Sequence, residues 1–171
     1  TEAGFSLRGW KERQRFDPAW AGFLVNPFYF ARRGLMDGLK EFFPQLQGEL
    51  LDVGCGSQPY RAYIPCARYV GMEVDTPLAR TSFQADVFYD GRSFPFAGES
   101  FDAVLCSHVF EHVFTPQEFL AEVYRVLRPG GVALFTVPFA WDEHEQPHDF
   151  ARYSSFGLRA VMETAGLSVE A

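Results

Sequence analysis

Apolar positions fall into two rhythms along this chain. From Phe28 they recur at Ala31, Leu35, Leu39 and Phe42, the spacing of one helix face. The start signal Asn26-Pro27 precedes this stretch and Pro44 ends it. Beyond it, short apolar runs alternate with helical patterns. Glu49–Val53, Tyr69–Glu73, Thr81–Ala85, Phe101–Cys106 and Val132–Val137 read as strands. Pro59–Ile64, Pro116–Leu127 and Ser154–Ala165 read as helices. Pro116 sits in a first turn, where its missing N–H costs nothing. Gly130-Gly131 breaks that helix, and Gly166 closes the next. Strands separated by helices predict an α/β fold, a Rossmann-like, mostly parallel sheet with right-handed crossovers. A further strand begins at 167–171, so the final strands of such a sheet are expected to be missing. Residues 1–48 read as an N-terminal arm and covering helix, with Trp10, Trp20 and the basic Lys11, Arg13 and Arg15 in the arm. Residues 49–171 read as the Rossmann-like part of one structural domain.

The net charge of -7 disfavours a nucleic-acid substrate, because phosphate backbones need a positive footprint. Three unclustered cysteines, Cys55, Cys66 and Cys106, argue against a disulfide framework or a zinc site. Reduced, buried thiols in a cytoplasmic protein are expected. No apolar run reaches the roughly 18–20 residues a membrane helix needs.

The chemistry begins at Leu51–Tyr60, LDVGCGSQPY, between a strand and a helix. That context gives a glycine loop meaning. Gly54 and Gly56 allow a tight turn and close backbone approach to a ligand. Glu73 ends the second strand, where a carboxylate accepts the ribose hydroxyls of an adenosine. A pyrophosphate fingerprint wants a third glycine, and Pro59 stands in that place, which weakens a nicotinamide or flavin reading. Asp52, in the strand end, suits a ligand with a cationic amino group and no phosphate, as in S-adenosylmethionine.

The run ADVFYDGRSFPFAGESFDAVLCSHVFEHV (85–113), with LDVGCG and FLAEVYRVLRPGGVALFTVP (119–138), resembles class I S-adenosylmethionine-dependent methyltransferases of the type 11 methyltransferase domain group. The resemblance implies S-adenosyl-L-methionine as cofactor and S-adenosyl-L-homocysteine as product. It places Gly54, Cys55 and Gly56 around the methionine portion and Asp52 toward its amino group. Glu73 then takes the ribose. Asp86 takes the adenine amino group, with Val87 against the ring. Ser107 and His108 lie beside the methionine tail and the transferred methyl. Asp86 is expected to follow a strand's carboxyl end.

The segment 138–167 is where an acceptor would meet the methyl group. His144, His148, Asp149, Arg152 and Tyr153 cluster there, and a similar stretch in a subgroup of these enzymes implies that it caps the active site. Imidazole suits a general base at neutral pH. His148 is the first candidate and His144 the second, with Asp149 orienting. Arg152, Tyr153 and His112 are candidate acceptor contacts. An Asp149–Arg152 ion pair and a backbone-holding His148 are the structural alternatives. His144, His148, Glu143 and Glu145 suggest a metal only if helical, and Pro147 argues against that, so no metal is predicted. Tyr29 and Arg32 or Arg33 are candidates to reach the cofactor carboxylate, with a solvated Arg face as the alternative. The expected function is methyl transfer to a small-molecule acceptor. The alternative is a cofactor-binding module serving assembly or regulation. An open sheet edge would suit a homo-oligomer.

Overall fold

The structure is a computed structural model that describes Trp10 and residues 14–170. Lys11 and Arg13 of the predicted basic arm lie outside the described residues. The chain divides into two compact units. One holds the described residues up to Pro44 together with Pro59–Ile64, and the other holds Gln45–Gln58 and the chain from Pro65 onward.

In the first unit, α1 spans Tyr29–Phe42. The Asn26 side chain accepts from the Phe28 N–H at 2.9 Å, so the predicted start signal works as an Asx turn. Met36 and Leu39, three apart, are the buried positions of α1. Arg33 pairs with Asp37 one turn on, at 2.8 Å, and both are about half exposed. Phe43 stacks on Tyr63, and Asp17 accepts from the Tyr63 hydroxyl at 2.7 Å and from Lys40 at 3.1 Å. The predicted helix at 59–64 is only a 3-10 turn, Arg61–Tyr63.

The second unit is a five-stranded parallel sheet with flanking helices. Its strands are β1 Glu49–Val53, β2 Arg68–Val74, β3 Val87–Tyr89, β4 Phe101–Ser107 and β5 Leu127–Thr136. Their order is β3-β2-β1-β4-β5, and every pairing is parallel. The order reverses between β1 and β4, which makes a crevice at their carboxyl ends. The helices are α2 Pro77–Ser82, α3 Pro116–Val126 and α4 Ser155–Thr164. Leu51, Val53, Val104 and Cys106 from the strands join Phe110, Leu120 and Val123 in the core of this unit. Among the described residues no helix is long and apolar enough to cross a membrane.

Three boundaries depart from the pattern. The third strand lies at Val87–Tyr89 rather than 81–85. Pro77 opens α2, and the Thr76 hydroxyl caps it by accepting from the Ala79 N–H at 3.0 Å. This start chemistry carries Thr81 and Ser82 into a helix. β5 begins at Leu127, before the glycines. Leu127 pairs with Phe101 and Val132 with Ala103, so the intervening residues bulge out of the ladder. Gly130, at φ +79°, supplies the backbone that bulge needs. The expected strand at 167–171 is not formed over 167–170. Leu167 and Val169 instead pack on the core, and Arg159 donates to the Val169 carbonyl at 2.6 Å.

Much of the middle run, residues 85–138, holds the fold together. Arg125 donates to the carbonyls of Phe94 and Phe96 and pairs with Glu122. Glu122 in turn accepts from the Phe94 N–H at 2.7 Å. Arg125 thus ties the FPF loop to α3. Arg128, from the same motif, reaches Asp102 at 2.7 Å, whose carboxylate also accepts from the Glu49 N–H.

Candidate functional site

The glycine loop leaves β1 at Gly54, φ +68°. A side-chain carbon there would sit 2.3 Å from Val109, so the turn after β4 requires glycine at this place. The N–H groups of Gly54 and Cys55 both donate to the Met72 carbonyl, at 2.8 and 3.1 Å. This pins the loop across the end of β2. Gly56 has φ +49° and open space where a side chain would project. Its N–H donates to Glu73 Oε2 at 2.9 Å, and the Val74 N–H donates to Glu73 Oε1 at 3.1 Å. The Glu73 carboxylate is therefore fixed, and each oxygen keeps lone-pair capacity for a further donor.

Gly71 is a position the sequence reading did not use for chemistry. A side-chain carbon there would meet Gln58 Nε2 at 2.5 Å and Cys55 Sγ at 2.9 Å. Its absence lets the loop lie down on β2. Asp86 pairs with this residue in both directions: the Gly71 N–H donates to Asp86 Oδ2, and the Asp86 N–H donates to the Gly71 carbonyl, each at 2.8 Å. Asp86 thus precedes β3 instead of following a strand. The acid that follows β3 is Asp90, whose Oδ1 accepts from the N–H groups of Arg92 and Ser93 at 2.9 and 3.0 Å. Those bonds hold its carboxyl below the ordinary range. The signal for Asp90 was its placement before the FPF loop, masked by the misplaced third strand.

Asp52 is buried and hydrogen-bonded by the Tyr69 hydroxyl. Burial raises its carboxyl to about 7, against the lowering effect of that bond. Burial likewise pushes the Cys55 thiol up to about 12, helped by the nearby acids, and raises Cys106. Both are inert thiols at neutral pH. A carboxyl whose folded value is raised contributes stability that is complete below its unfolded value near 3.8 and is lost as pH rises through about 7. Asp52→Asn is therefore expected to gain stability relative to the parent as pH rises from 4 to 8. Its slope should not exceed about 1.4 kcal/mol per pH unit. Urea unfolding across that range checks this, and a pH-independent difference would contradict it.

On the other side of the switch point, the Ser107 hydroxyl lies 2.8 Å from that of Thr136. His108, at φ +55°, donates its backbone N–H to the Thr136 carbonyl at 2.9 Å. A left-handed histidine is uncommon and concentrates at functional positions. The turn Phe110–His112 follows. Its Glu111 is fully buried, and three imidazoles face it. His108 Nδ1 is 3.4 Å from Glu111 Oε1, His112 Nε2 is 3.9 Å away, and His144 Nε2 is 4.0 Å away.

The segment after β5 divides the predicted residues. His144 meets Glu111 and His112, and its Nδ1 lies 3.3 Å from Asp149 Oδ2. Asp149 is gripped by Arg152 through both carboxylate oxygens, at 2.5 and 2.6 Å. The guanidinium beside it holds the Asp149 carboxyl well below its ordinary range. Arg152 also donates to the carbonyls of Ala151 and Asp142, so the ion pair weighed from the sequence is present. The His148 ring is exposed against Phe150, while its carbonyl accepts from His112 Nδ1 at 2.8 Å. Tyr153 stacks on Phe110 and, with Phe135, Thr136, Val137 and Phe139, lines an open depression beyond β5. The set His144, His148, Glu143 and Glu145 is not assembled. The group brought together among the described residues is Glu111, His112 and His144.

Residues 51–135 match the type 11 family model, whose description is Methyltransferase domain. A protein of Mycobacterium avium described as an uncharacterized methyltransferase is 38% identical over 96 residues, which cover 51% of this chain and 38% of the relative. The chain thus spans well under two thirds of the length of such relatives. Among solved structures, a SAM-dependent methyltransferase from Aquifex aeolicus superposes with a TM-score of 0.62 at 20% identity, covering 92% of each chain. The [4+2]-cyclase SpnF superposes with a TM-score of 0.60 at 23% identity, covering 82% of this chain and 60% of that one. Strand order, glycine loop and family match agree: the chain belongs to the class I S-adenosylmethionine-dependent methyltransferases, in the type 11 domain group.

Proposed function

We propose that the chain binds S-adenosylmethionine at the carboxyl ends of β1, β2 and β3 and transfers its methyl group to a small-molecule acceptor. The observation that carries this reading is the Glu73 carboxylate, held by the Gly56 and Val74 N–H groups beside the open face of Gly56. In this reading the loop Gly54–Cys55–Gly56 wraps the methionine portion and Glu73 takes the ribose hydroxyls. Asp52 receives the amino group, whose positive charge offsets the burial of that acid. Asp90 takes the adenine amino group in place of Asp86, because it stands at the end of β3 with Oδ2 unused by the described residues. Val87, at the start of that strand, flanks the ring. Ser107 and His108 border the reacting methyl.

Methyl transfer is an in-line displacement: the acceptor's electron pair forms the new bond to the methyl carbon, and the sulfur–methyl electrons return to sulfur. The sulfonium is already an excellent leaving group, so the protein's contribution is chiefly alignment. A hydroxyl acceptor also loses a proton. His148, with its exposed ring, is the base in this reading, and Tyr153 and Arg152 shape the acceptor side. The chain's negative charge and the exposed aromatic rings of Phe139, Trp141 and Phe150 favour a small, partly apolar acceptor over nucleic acid. Self-association through the sheet would use its edge strands, β3 or β5.

The test is transfer of a radiolabelled methyl group from S-adenosylmethionine into a small-molecule extract. Label in the non-protein fraction supports the reading. His148→Ala is expected to leave cofactor affinity unchanged and lower turnover, and unaffected turnover would remove His148 as the base. A second reading, a cofactor-binding module without transfer, has the SpnF likeness in its favour, since that fold also serves a cyclase. Tight cofactor binding with no label moved to any acceptor would favour it.

A further inference from the structure

We propose that Glu111, His112 and His144 form a site for a first-row divalent transition-metal ion. The first observation is the carboxylate. Glu111 is fully buried, and neither of its oxygens has a hydrogen-bond partner among the described residues. Leaving an ionised carboxylate bare inside a protein costs several kcal/mol unless a cation balances it. Its backbone is not idle, because the Glu111 carbonyl accepts from the N–H groups of Phe150 and Ala151 at 2.9 and 3.2 Å. The turn is therefore fastened to the 138–153 segment while the side chain waits for a partner.

The second observation is the direction of the imidazoles. Among the described residues His112 Nδ1 faces one partner, the His148 carbonyl, at 2.8 Å. A carbonyl can only accept, so Nδ1 carries the proton and Nε2 presents a lone pair toward Glu111. His144 Nδ1 faces the Asp142 carbonyl at 3.2 Å and the Asp149 carboxylate at 3.3 Å. It too carries its proton there and turns the Nε2 lone pair inward. Three electron-pair donors thus converge with no proton between them, and their ligand atoms all lie within 4.8 Å of one another. Around a tetrahedral ion with bonds of about 2.1 Å, neighbouring ligand atoms are about 3.4 Å apart. The two carboxylate–imidazole distances, 3.9 and 4.0 Å, need to contract by about half an ångström, and the two imidazoles, within 4.8 Å of each other, by up to about 1.4 Å.

The outer contacts fit the same reading. Metal-bound histidines hand their second N–H to a carbonyl or a carboxylate, and here His112 does the first and His144 the second. Arg152 fixes the Asp149 carboxylate from behind. Two imidazoles and one carboxylate select zinc-like ions over magnesium, and three protein ligands leave a position open. His108, 3.4 Å from Glu111, and Glu145, 3.9 Å from His112 Nε2, stand at its rim. If the transferase reading holds, an acceptor hydroxyl in the open position would lose its proton more readily. The metal site itself does not depend on that reading.

The experiment titrates the chelator-stripped chain with Co²⁺ and Zn²⁺, without S-adenosylmethionine, following cobalt's visible bands and the heat of binding. One ion per chain is expected, with no comparable response to Mg²⁺. His144→Ala and Glu111→Gln should each weaken binding at least tenfold. His148→Ala, which keeps the carbonyl, should not change it. Because Glu111→Gln alters a buried group, circular dichroism accompanies it, and His144→Ala alone decides if that variant does not fold. No saturable binding to the folded parent, or equal affinity in His144→Ala and His148→Ala, would overturn the site. Cofactor affinity measured on the same stripped protein keeps this outcome separate from the transferase reading.

Discussion

Replacing Phe110 by alanine is expected to destabilise the chain by about 3–5 kcal/mol, the range for deleting a buried aromatic ring. Phe110 is fully buried. Its ring stacks on Tyr153 at 5.1 Å and meets Phe119 and Phe135 at 5.8 and 5.7 Å. It therefore joins α3, β5 and the segment before α4 at one point. The loss exceeds simple transfer of the ring to water, because packed neighbours relax only partly into the cavity. Phe110 also precedes Glu111, so its anchorage sets where that carboxylate lies. Phe110→Leu should recover much of the stability by refilling volume. Urea midpoints at equal slope measure both variants. A Phe110→Ala change within 1 kcal/mol of the parent would mean that this cluster does not hold the turn.

Glu73→Ala is expected to weaken S-adenosylmethionine binding at least tenfold, about 1.4 kcal/mol. Two losses act together. The ribose hydroxyls lose their acceptor, and the Gly56 N–H loses the carboxylate that holds the glycine loop in place. Glu73→Gln keeps an acceptor for Gly56 but offers a donor on its other arm, so its affinity should fall between the two. Glu73 is only partly buried, and stability should change little. Unchanged affinity in a folded Glu73→Ala variant would displace the ribose from this carboxylate.

The parallel sheet was legible because its central strands are short apolar runs with clear stops. β1 fell where the pattern put it, since Gly54 ends it with a backbone conformation other residues resist. β3 was not legible. Only three residues pair there, with Met72–Val74, too few to leave a periodicity, and the capped start of α2 took over the residues assigned to it. That error also set Asp86 after a strand, whereas it precedes β3 and Asp90 follows it. β5 was shortened for a related reason: two glycines usually interrupt structure, and here they form a bulge within a continuing strand. The Glu111 cluster was invisible for a different reason. His144 lies 33 residues after Glu111 in the chain, so no local spacing joins them. Only the adjacency of β4 and β5 brings their loops together.

The central claim is that this sheet end is built for S-adenosylmethionine and not for a dinucleotide. Isothermal titration of the chain with S-adenosylmethionine, and separately with NAD, tests it most directly. Saturable one-to-one binding of S-adenosylmethionine with no heat from NAD is the predicted result. Binding of NAD with none of S-adenosylmethionine would contradict it.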